Sequence, residues 1–164
     1  MTGAGRRWPG GVDRHASRHV HNGTMSGPIY TGTGTVAAPP DRTWPALLRS
    51  LHYVPAKAAE KIIGSTGTTR QWVPLPADEG GAMAGHVTVK ADSARRTVSV
   101  KGRWWYKGVF SVEPHPEGSL VRYEVFNAAS PLTRWAVPLV ASRGVRPRLD
   151  AELAEALRQT AQRV

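Results

Sequence analysis

The stretch from Gly81 to Ala129 constrains the fold most, because it reads as a run of strands separated by short turns. Its β-rich segments are 83–90, 96–102, 103–113 and 119–127. The polar ADSAR segment and the Pro- and Gly-rich PHPEG segment predict the turns between successive pairs. We therefore predict an α+β chain whose centre is a curved antiparallel sheet.

The segments on either side predict one more strand, short helices and a long terminal helix. Residues 29–38 read as a strand in which Gly32 and Gly34 allow a bend or close packing. Residues 41–51 and 55–63 are helical in pattern, and QWVPL predicts a short edge strand because Pro74 would interrupt a central one. The helix from Pro147 to Val164 carries an apolar stripe of Leu149, Leu153, Leu157, Ala161 and Val164.

Alternation along the last strand assigns its two faces. Val121, Tyr123 and Val125 share one side, which we expect to be buried, and the residues between them face outward. On the preceding strand Trp104 and Tyr106 share one face, and Trp105 and Lys107 the other. A bulge at Gly108 would shift this phase, so the pattern leaves open which aromatic side chains face inward.

Composition excludes several classes of site. The chain has no Cys, which rules out disulfides, thiolate metal sites and a Cys nucleophile. Its net charge of +10 invites a nucleic-acid interpretation, but 17 of the 22 basic residues are Arg, as a GC-rich genome would give, and they are spread along the chain. With no dense basic stripe on one element, the sequence favours a solvated basic surface over a nucleic-acid site.

Residues 1–25 lack periodicity and are rich in Gly, Arg and His, so we predict a disordered N-terminal tail before a domain spanning 26–164. Met25 directly precedes the first strand-like segment, and we take it as the expected natural start. No apolar run approaches the roughly 20 residues that span a bilayer. An Arg pair near the start is not followed by an apolar stretch, so the expected location is cytoplasmic.

The segments TGTGTVAAPPDRTWPALL and GVFSVEPHPEGSLVRYEVFN, followed by the long helix, resemble the START-like (SRPBCC) superfamily, which includes the polyketide cyclase/dehydrase and lipid-transport group. The resemblance covers about residues 26–164 and carries no catalytic motif. It implies the helix-grip fold, a curved antiparallel sheet wrapped around a long C-terminal helix. It also implies a pocket for an apolar ligand between the two.

No catalytic set, metal site or cofactor follows from the spacing of residues. A His in a strand could move protons near neutral pH, aromatic side chains could line a pocket, and an Arg near its mouth could pair with an acidic ligand group. On these grounds the candidate ligand-binding residues are His86, Trp104, Tyr106, Tyr123, Arg134, Trp135 and Leu153.

Three functions stay open at this point. The first is a small binding protein that encloses a hydrophobic small molecule. The second is a polyketide cyclase or aromatase in which His86 or Tyr106 moves protons. The third is a basic interaction protein that contacts nucleic acid or an acidic partner. A filled core with basic residues gathered on one face would favour the third.

Overall fold

The computed structural model describes residues 27–75, 85–102, 105–130 and 145–164, and at positions 75, 85 and 86 the backbone alone. Within these ranges one six-stranded antiparallel sheet has the order β1-β6-β5-β4-β3-β2. The strands are β1 Tyr30–Val36, β2 Thr68–Leu75, β3 Gly85–Asp92, β4 Thr97–Lys101, β5 Tyr106–His115 and β6 Gly118–Asn127. The helices are α1 Pro40–Ser50, α2 Ala56–Ile63 and α3 Val145–Arg163.

Helix α3 packs on the sheet at strand β1, where two glycines remove the side chains that would hold it away. A Cβ added at Gly32 would lie 2.6 Å from Leu153 Cδ2, and one added at Gly34 would lie 2.2 Å from Leu157 Cδ1. The close packing expected from these glycines is therefore present. Together with the topology it confirms the helix-grip arrangement of a curved sheet around the C-terminal helix.

The inner face of the sheet follows the predicted alternation. Val121, Tyr123 and Val125 are fully buried, and the residues between them are partly exposed on the opposite side. The core continues through Phe110 on β5 and onto the helices. Burial of this apolar area, at about 25 cal/mol per Å², is the main force that holds sheet and helices together.

Two helix predictions were wrong in detail. On α3 the buried residues are Leu149, Leu153, Ala156 and Thr160, whereas Ala161 is exposed. Steps of four residues drift off a helix face with 3.6 residues per turn, so the contact line has to include a three-residue step. Helix α1 begins earlier than predicted, with Pro40 in its first turn, which leaves Pro45 inside the helix.

Strand β5 contains no bulge at Gly108. Its pairing with β4 and with β6 runs without interruption through this residue, opposite Val100 on one side and Val125 on the other. Tyr106 is therefore in phase with Phe110 and faces inward, which answers the question that the alternation had left open.

Of the helices in the described ranges, none combines the length and apolarity needed to cross a bilayer. The predicted tail, residues 1–25, and the proposed start at Met25 lie outside the described residues.

Candidate polar site between helix and sheet

A chain of hydrogen bonds joins two sheet tyrosines to a carboxyl group on α3. The Oη atoms of Tyr106 and Tyr123 are 2.5 Å apart, and Tyr123 donates to Glu152 Oε2 at 3.2 Å. A phenol has one proton to donate, so Tyr106 must donate to Tyr123 when Tyr123 donates to Glu152. If Glu152 is protonated, the direction of the whole chain can reverse. The three groups thus form a path along which one proton position is shared.

Neighbouring side chains hold the two phenols in place. A Cβ at Gly108 would lie 2.3 Å from Tyr106 Oη, so the missing side chain leaves room for the Tyr106 ring to fold over the strand. The Tyr123 ring stacks on Phe110 with centroids 4.1 Å apart and is met edge-on by Tyr30 at 5.7 Å. Rings packed on both sides have little freedom, which fixes the positions of their hydroxyls.

Glu152 is a carboxyl group held largely out of water. Burial raises its pKa above the ordinary value, while the hydrogen bond from Tyr123, the nearby Arg148 and a weak hydrogen bond from Tyr53 oppose that shift. Its Oε1 atom is buried and has no well-aligned hydrogen-bond partner among the described residues. A carboxyl group in this state holds a proton more readily than a solvated one.

Tyr53, in the segment between α1 and α2, supplies a second buried atom without a well-aligned hydrogen bond. Its side chain is only 1% exposed, and no described partner meets its hydroxyl in good hydrogen-bond geometry. Burial raises the pKa of this phenol, and Tyr106, the charge of Glu152 and a weak hydrogen bond to Glu152 add to the effect, so Tyr53 and Glu152 lie close together. Buried polar atoms normally have a well-formed hydrogen bond, so this pair is a candidate contact for a ligand.

A neighbouring pair extends the polar cluster toward the surface. Tyr30 Oη donates to Asp150 Oδ1 at 2.7 Å. Burial, followed by the hydrogen bond to Asp150, raises the pKa of Tyr30 to about 12. Tyr30 and Asp150 are thus hydrogen-bonded to each other, whereas Tyr53 Oη and Glu152 Oε1 lack a well-aligned partner.

The inner face is closely packed around this polar cluster. Residues deep on that face, such as Phe110 and Val125, are 0% exposed. Where β1 and β5 begin and along the first turns of α3, residues beside the cluster keep exposed fractions of 5–7%, as does the core residue Trp44 on α1. Beside the cluster these residues are Tyr30, Trp105, Tyr106, Leu149 and Leu153.

Solved structures with a similar arrangement of elements include enzymes of natural-product synthesis. The di-domain aromatase/cyclase StfQ from the steffimycin biosynthetic pathway aligns with a TM-score of 0.49 and 13% identity, over 82% of this chain and 50% of that one. The Zhui aromatase/cyclase from Streptomyces sp. R1128 aligns at 0.41 and 18%, over 79% and 93%. A norcoclaurine synthase mutant from Thalictrum aligns at 0.45 and 16%, over 82% and 93%. No protein-family model matches the chain, and no curated protein matches it significantly.

The structure brings three of the predicted site residues together. Tyr106 and Tyr123 are hydrogen-bonded, and Leu153 lies beside Glu152 on α3, against Gly32. His86 is placed by its backbone on β3, opposite Pro74 of the edge strand. Trp104, Arg134 and Trp135 lie outside the described residues, so their predicted roles stay predictions.

Sequence reasoning missed Glu152 and Tyr53. Glu152 lies near the start of α3, where carboxyl groups favour the helix dipole and are usually solvated. A usable signal was its spacing: it comes three residues after Leu149 and four before Ala156, both of which are buried. Tyr53 has no comparable signal, because it lies in a short connection without periodicity.

Proposed function

We propose that the chain binds a hydrophobic small molecule with a hydroxyl or carbonyl group, held between α3 and the inner face of the sheet. The observation that supports this proposal is the buried polar cluster between α3 and the sheet, in which Tyr53 and Glu152 are close but neither Tyr53 Oη nor Glu152 Oε1 has a well-aligned hydrogen bond. Tyr53 is a donor, and Glu152 is an acceptor or, when protonated, a donor. A ligand oxygen bound to both would complete their hydrogen bonding.

The expected ligand is neutral at its buried end. A carboxylate buried beside Glu152 would lose its hydration and would further favour the protonated form of Glu152, which raises the cost of burial. The apolar part of the ligand would contact aromatic and aliphatic side chains between α3 and the sheet, and would contribute about 25 cal/mol per Å² before ordering costs. Trp104, Arg134 and Trp135 remain proposed contributors to this site, and a cytoplasmic location remains the expectation.

The register of β3 argues against a role for His86 in this site. Position 86 alternates with the buried Val87 and shares its side of the strand with Thr88, which places His86 on the outer face.

A second candidate is an enzyme of the cyclase type. The raised pKa of Glu152 and its hydrogen bond to Tyr123 favour it, because a buried carboxyl group that holds its proton more tightly than a solvated one is suited to general acid–base catalysis. In this role Glu152 would exchange a proton with a carbonyl or enol of the ligand. Tyr123 and Tyr106 would replace that proton along the hydrogen-bonded path.

The test uses the full chain with Tyr53→Phe, and Tyr30→Phe as the matched control. Removing the Tyr53 hydroxyl, which has no well-aligned partner, should change the stability of the empty protein by no more than about 1 kcal/mol in urea unfolding. It should also weaken retention of a co-purified small molecule, measured by native mass spectrometry, and binding of the neutral dye Nile red. Tyr30→Phe leaves Asp150 without its donor and should lower stability without a comparable loss of ligand.

Unchanged ligand retention in Tyr53→Phe would contradict the proposed site. Glu152→Gln separates the two candidates, because the amide keeps the shape and cannot act as an acid. Loss of binding supports the binding protein. Retained binding of a polyketide-like poly-β-carbonyl compound with loss of its dehydrated, cyclised product supports the enzyme.

A further inference from the structure

The polar cluster between α3 and the sheet has a small and countable set of protons to donate. Each phenol has one such proton, and an ionised carboxylate has none. Tyr106 donates to Tyr123 at 2.5 Å when Tyr123 donates to Glu152 Oε2 at 3.2 Å. Tyr53 makes a weak hydrogen bond to the same carboxyl group. While Glu152 is ionised, the cluster therefore uses its three phenolic protons internally.

The neighbouring phenol on β1 adds no spare donor. Tyr30 donates its proton to Asp150 Oδ1 at 2.7 Å, on the first turns of α3. A ligand oxygen that enters the cluster thus meets hydrogen-bond acceptors in excess of free donors, as long as Glu152 keeps its charge.

Only one of the groups that interact here changes its protonation near neutral pH. Burial raises the pKa of all four phenols, so they stay neutral. The guanidinium on the same helix stays charged. Glu152 is therefore the group that gains or loses a proton. The titratable or charged residues that act on it, among those the structure describes, are Tyr30, Tyr53, Tyr106, Tyr123 and Arg148.

Ligand oxygens differ in what they require from such a cluster. A hydroxyl both donates and accepts, so it can bind to Glu152 in either protonation state. A carbonyl only accepts, and beside the ionised carboxylate it would place lone pairs against lone pairs. It could take the proton of Tyr53, but a buried carboxylate would then lose a donor, and hydrogen bonds to charged groups are the strong ones.

Protonation of Glu152 supplies the missing donor without disturbing the rest of the cluster. Oε2 can continue to accept from Tyr123, which leaves the path to Tyr106 unchanged. Oε1 is buried and has no well-aligned partner among the described residues, so it can carry the added proton and donate it to a ligand. The carboxyl group then has one atom for the cluster and one atom for the ligand.

We propose that binding of a carbonyl ligand to this cluster is coupled to proton uptake by Glu152, whereas a hydroxyl ligand binds whether or not Glu152 carries that proton. The inference rests on the function proposed above and adds a rule for the choice of ligand. The affinity for a ketone is full below the pKa of Glu152 in the ligand-free protein and falls as pH rises through it. The affinity for an alcohol on the same skeleton changes little over that range.

The test uses 1-tetralone and 1-tetralol, a ketone and an alcohol with the same bicyclic skeleton, neither of which titrates near neutral pH. Calorimetric titration of the full chain in phosphate and in Tris, which differ in ionisation enthalpy, gives the number of protons taken up per ligand bound. At about pH 7.5 we expect about 0.5–1 proton for the ketone and about none for the alcohol. Between about pH 6.5 and 8.5 the affinity for the ketone should fall about 10- to 100-fold, and that for the alcohol less than about threefold.

Glu152→Gln has a matched control two residues away on the same helix. The amide cannot take up a proton, so uptake should vanish and any remaining affinity for the ketone should be independent of pH. Asp150→Asn can still accept from Tyr30 and should keep the uptake of the unmodified chain. The unmodified chain alone decides for or against proton coupling, even if a variant fails to fold.

The outcomes separate this inference from the proposed function. If both probes bind and the ketone takes up no proton, the inference is overturned and the proposed site stands. Uptake that persists in Glu152→Gln would assign the proton to another group and would also overturn it. If neither probe binds the unmodified chain at any pH tested, the proposed function is contradicted, and the inference with it.

Discussion

Tyr123 and Phe126 lie three residues apart on strand β6 and face opposite sides of the same sheet. The inner side has few polar groups, and most of them have a specific hydrogen-bond partner. The outer side has many charged groups, which face the solvent, and several of them form ion pairs. The comparison shows that one sheet separates a small buried polar cluster from a solvent-facing surface that carries lysines, arginines and carboxylates.

The largest expected difference between the two sides is in packing. Tyr123→Ala should lower the free energy of unfolding by about 3–5 kcal/mol, because it leaves a cavity against Phe110 and Tyr30. Phe126→Ala, three residues along, should cost less than about 1 kcal/mol. Urea unfolding followed by circular dichroism measures both values. Similar losses would mean that the inner face is not the packed one.

The next test concerns the glycine beneath Tyr106. A methyl group at position 108 would force the phenol off the strand and break its hydrogen bond to Tyr123, so Gly108→Ala should destabilise by about 1–3 kcal/mol. Gly67→Ala is the control, since a Cβ there meets nothing within 4 Å, and its effect should stay within about 1 kcal/mol of zero. A neutral Gly108→Ala would contradict the close approach of the ring.

Buried and exposed carboxyl groups should also differ in how pH affects them. The pKa of Glu152 is raised in the folded protein, so the native state holds this proton more tightly than the unfolded chain. Its contribution to stability is full below the unfolded pKa of 4.5 and is lost as pH rises through the folded pKa. The phenols around it have raised pKa values and stay neutral there.

Glu152→Gln should therefore flatten the decline of stability with rising pH above about 4.5, measured as Tm against pH. Arg148, which faces Glu152, remains charged throughout and does not change the sign. The control Glu117→Gln, in the exposed β5–β6 turn, should keep the decline. A profile of Glu152→Gln identical to that of the unmodified protein would show that Glu152 is solvated.

The smallest effect is expected on the outer face. Lys101 and Lys107 repel one another from opposite positions, so Lys101→Gln should raise stability by about 0.2–1 kcal/mol at low salt. The gain should shrink at about 1 M salt, where charges are screened within roughly 3 Å. Lys57→Gln, on α2, should give no comparable gain. A loss of stability in Lys101→Gln would show that this lysine has a stabilising partner.

Local pattern predicted much of the fold. Alternation identified the buried side of β6, and periodicity identified α3 as the helix that the sheet encloses. It misplaced Ala161, because repeated four-residue steps drift off a helix face, whereas Leu157 and Val164 pack against the core as predicted. It did not single out Glu152, since a carboxyl group early in a helix is usually solvated. The spacing from Leu149 to Ala156 places Glu152 on the buried side, and the contact with Tyr123 shows its partner.

The proximity of three lysines on the outer face could not be predicted from the sequence for a different reason. Lys90, Lys101 and Lys107 lie on three strands, and none of these strands is dense in charge. Their proximity depends on the register of two strand pairs, which turn chemistry and side-chain packing determine together. The spread of charge along the chain therefore predicted a solvated basic surface, whereas the fold brings these three lysines close together.

Pro74 on strand β2 has a consequence for the behaviour of the protein in concentrated solution. Strand β2 is one of the two outer strands of the described sheet, and such strands can recruit a foreign chain and begin aggregation. Proline is tolerated there because its nitrogen faces away from the ladder, so an incoming strand finds a donor missing. Strand β2, which carries the exposed Trp72, thus disfavours pairing with the same strand of a second copy of this chain.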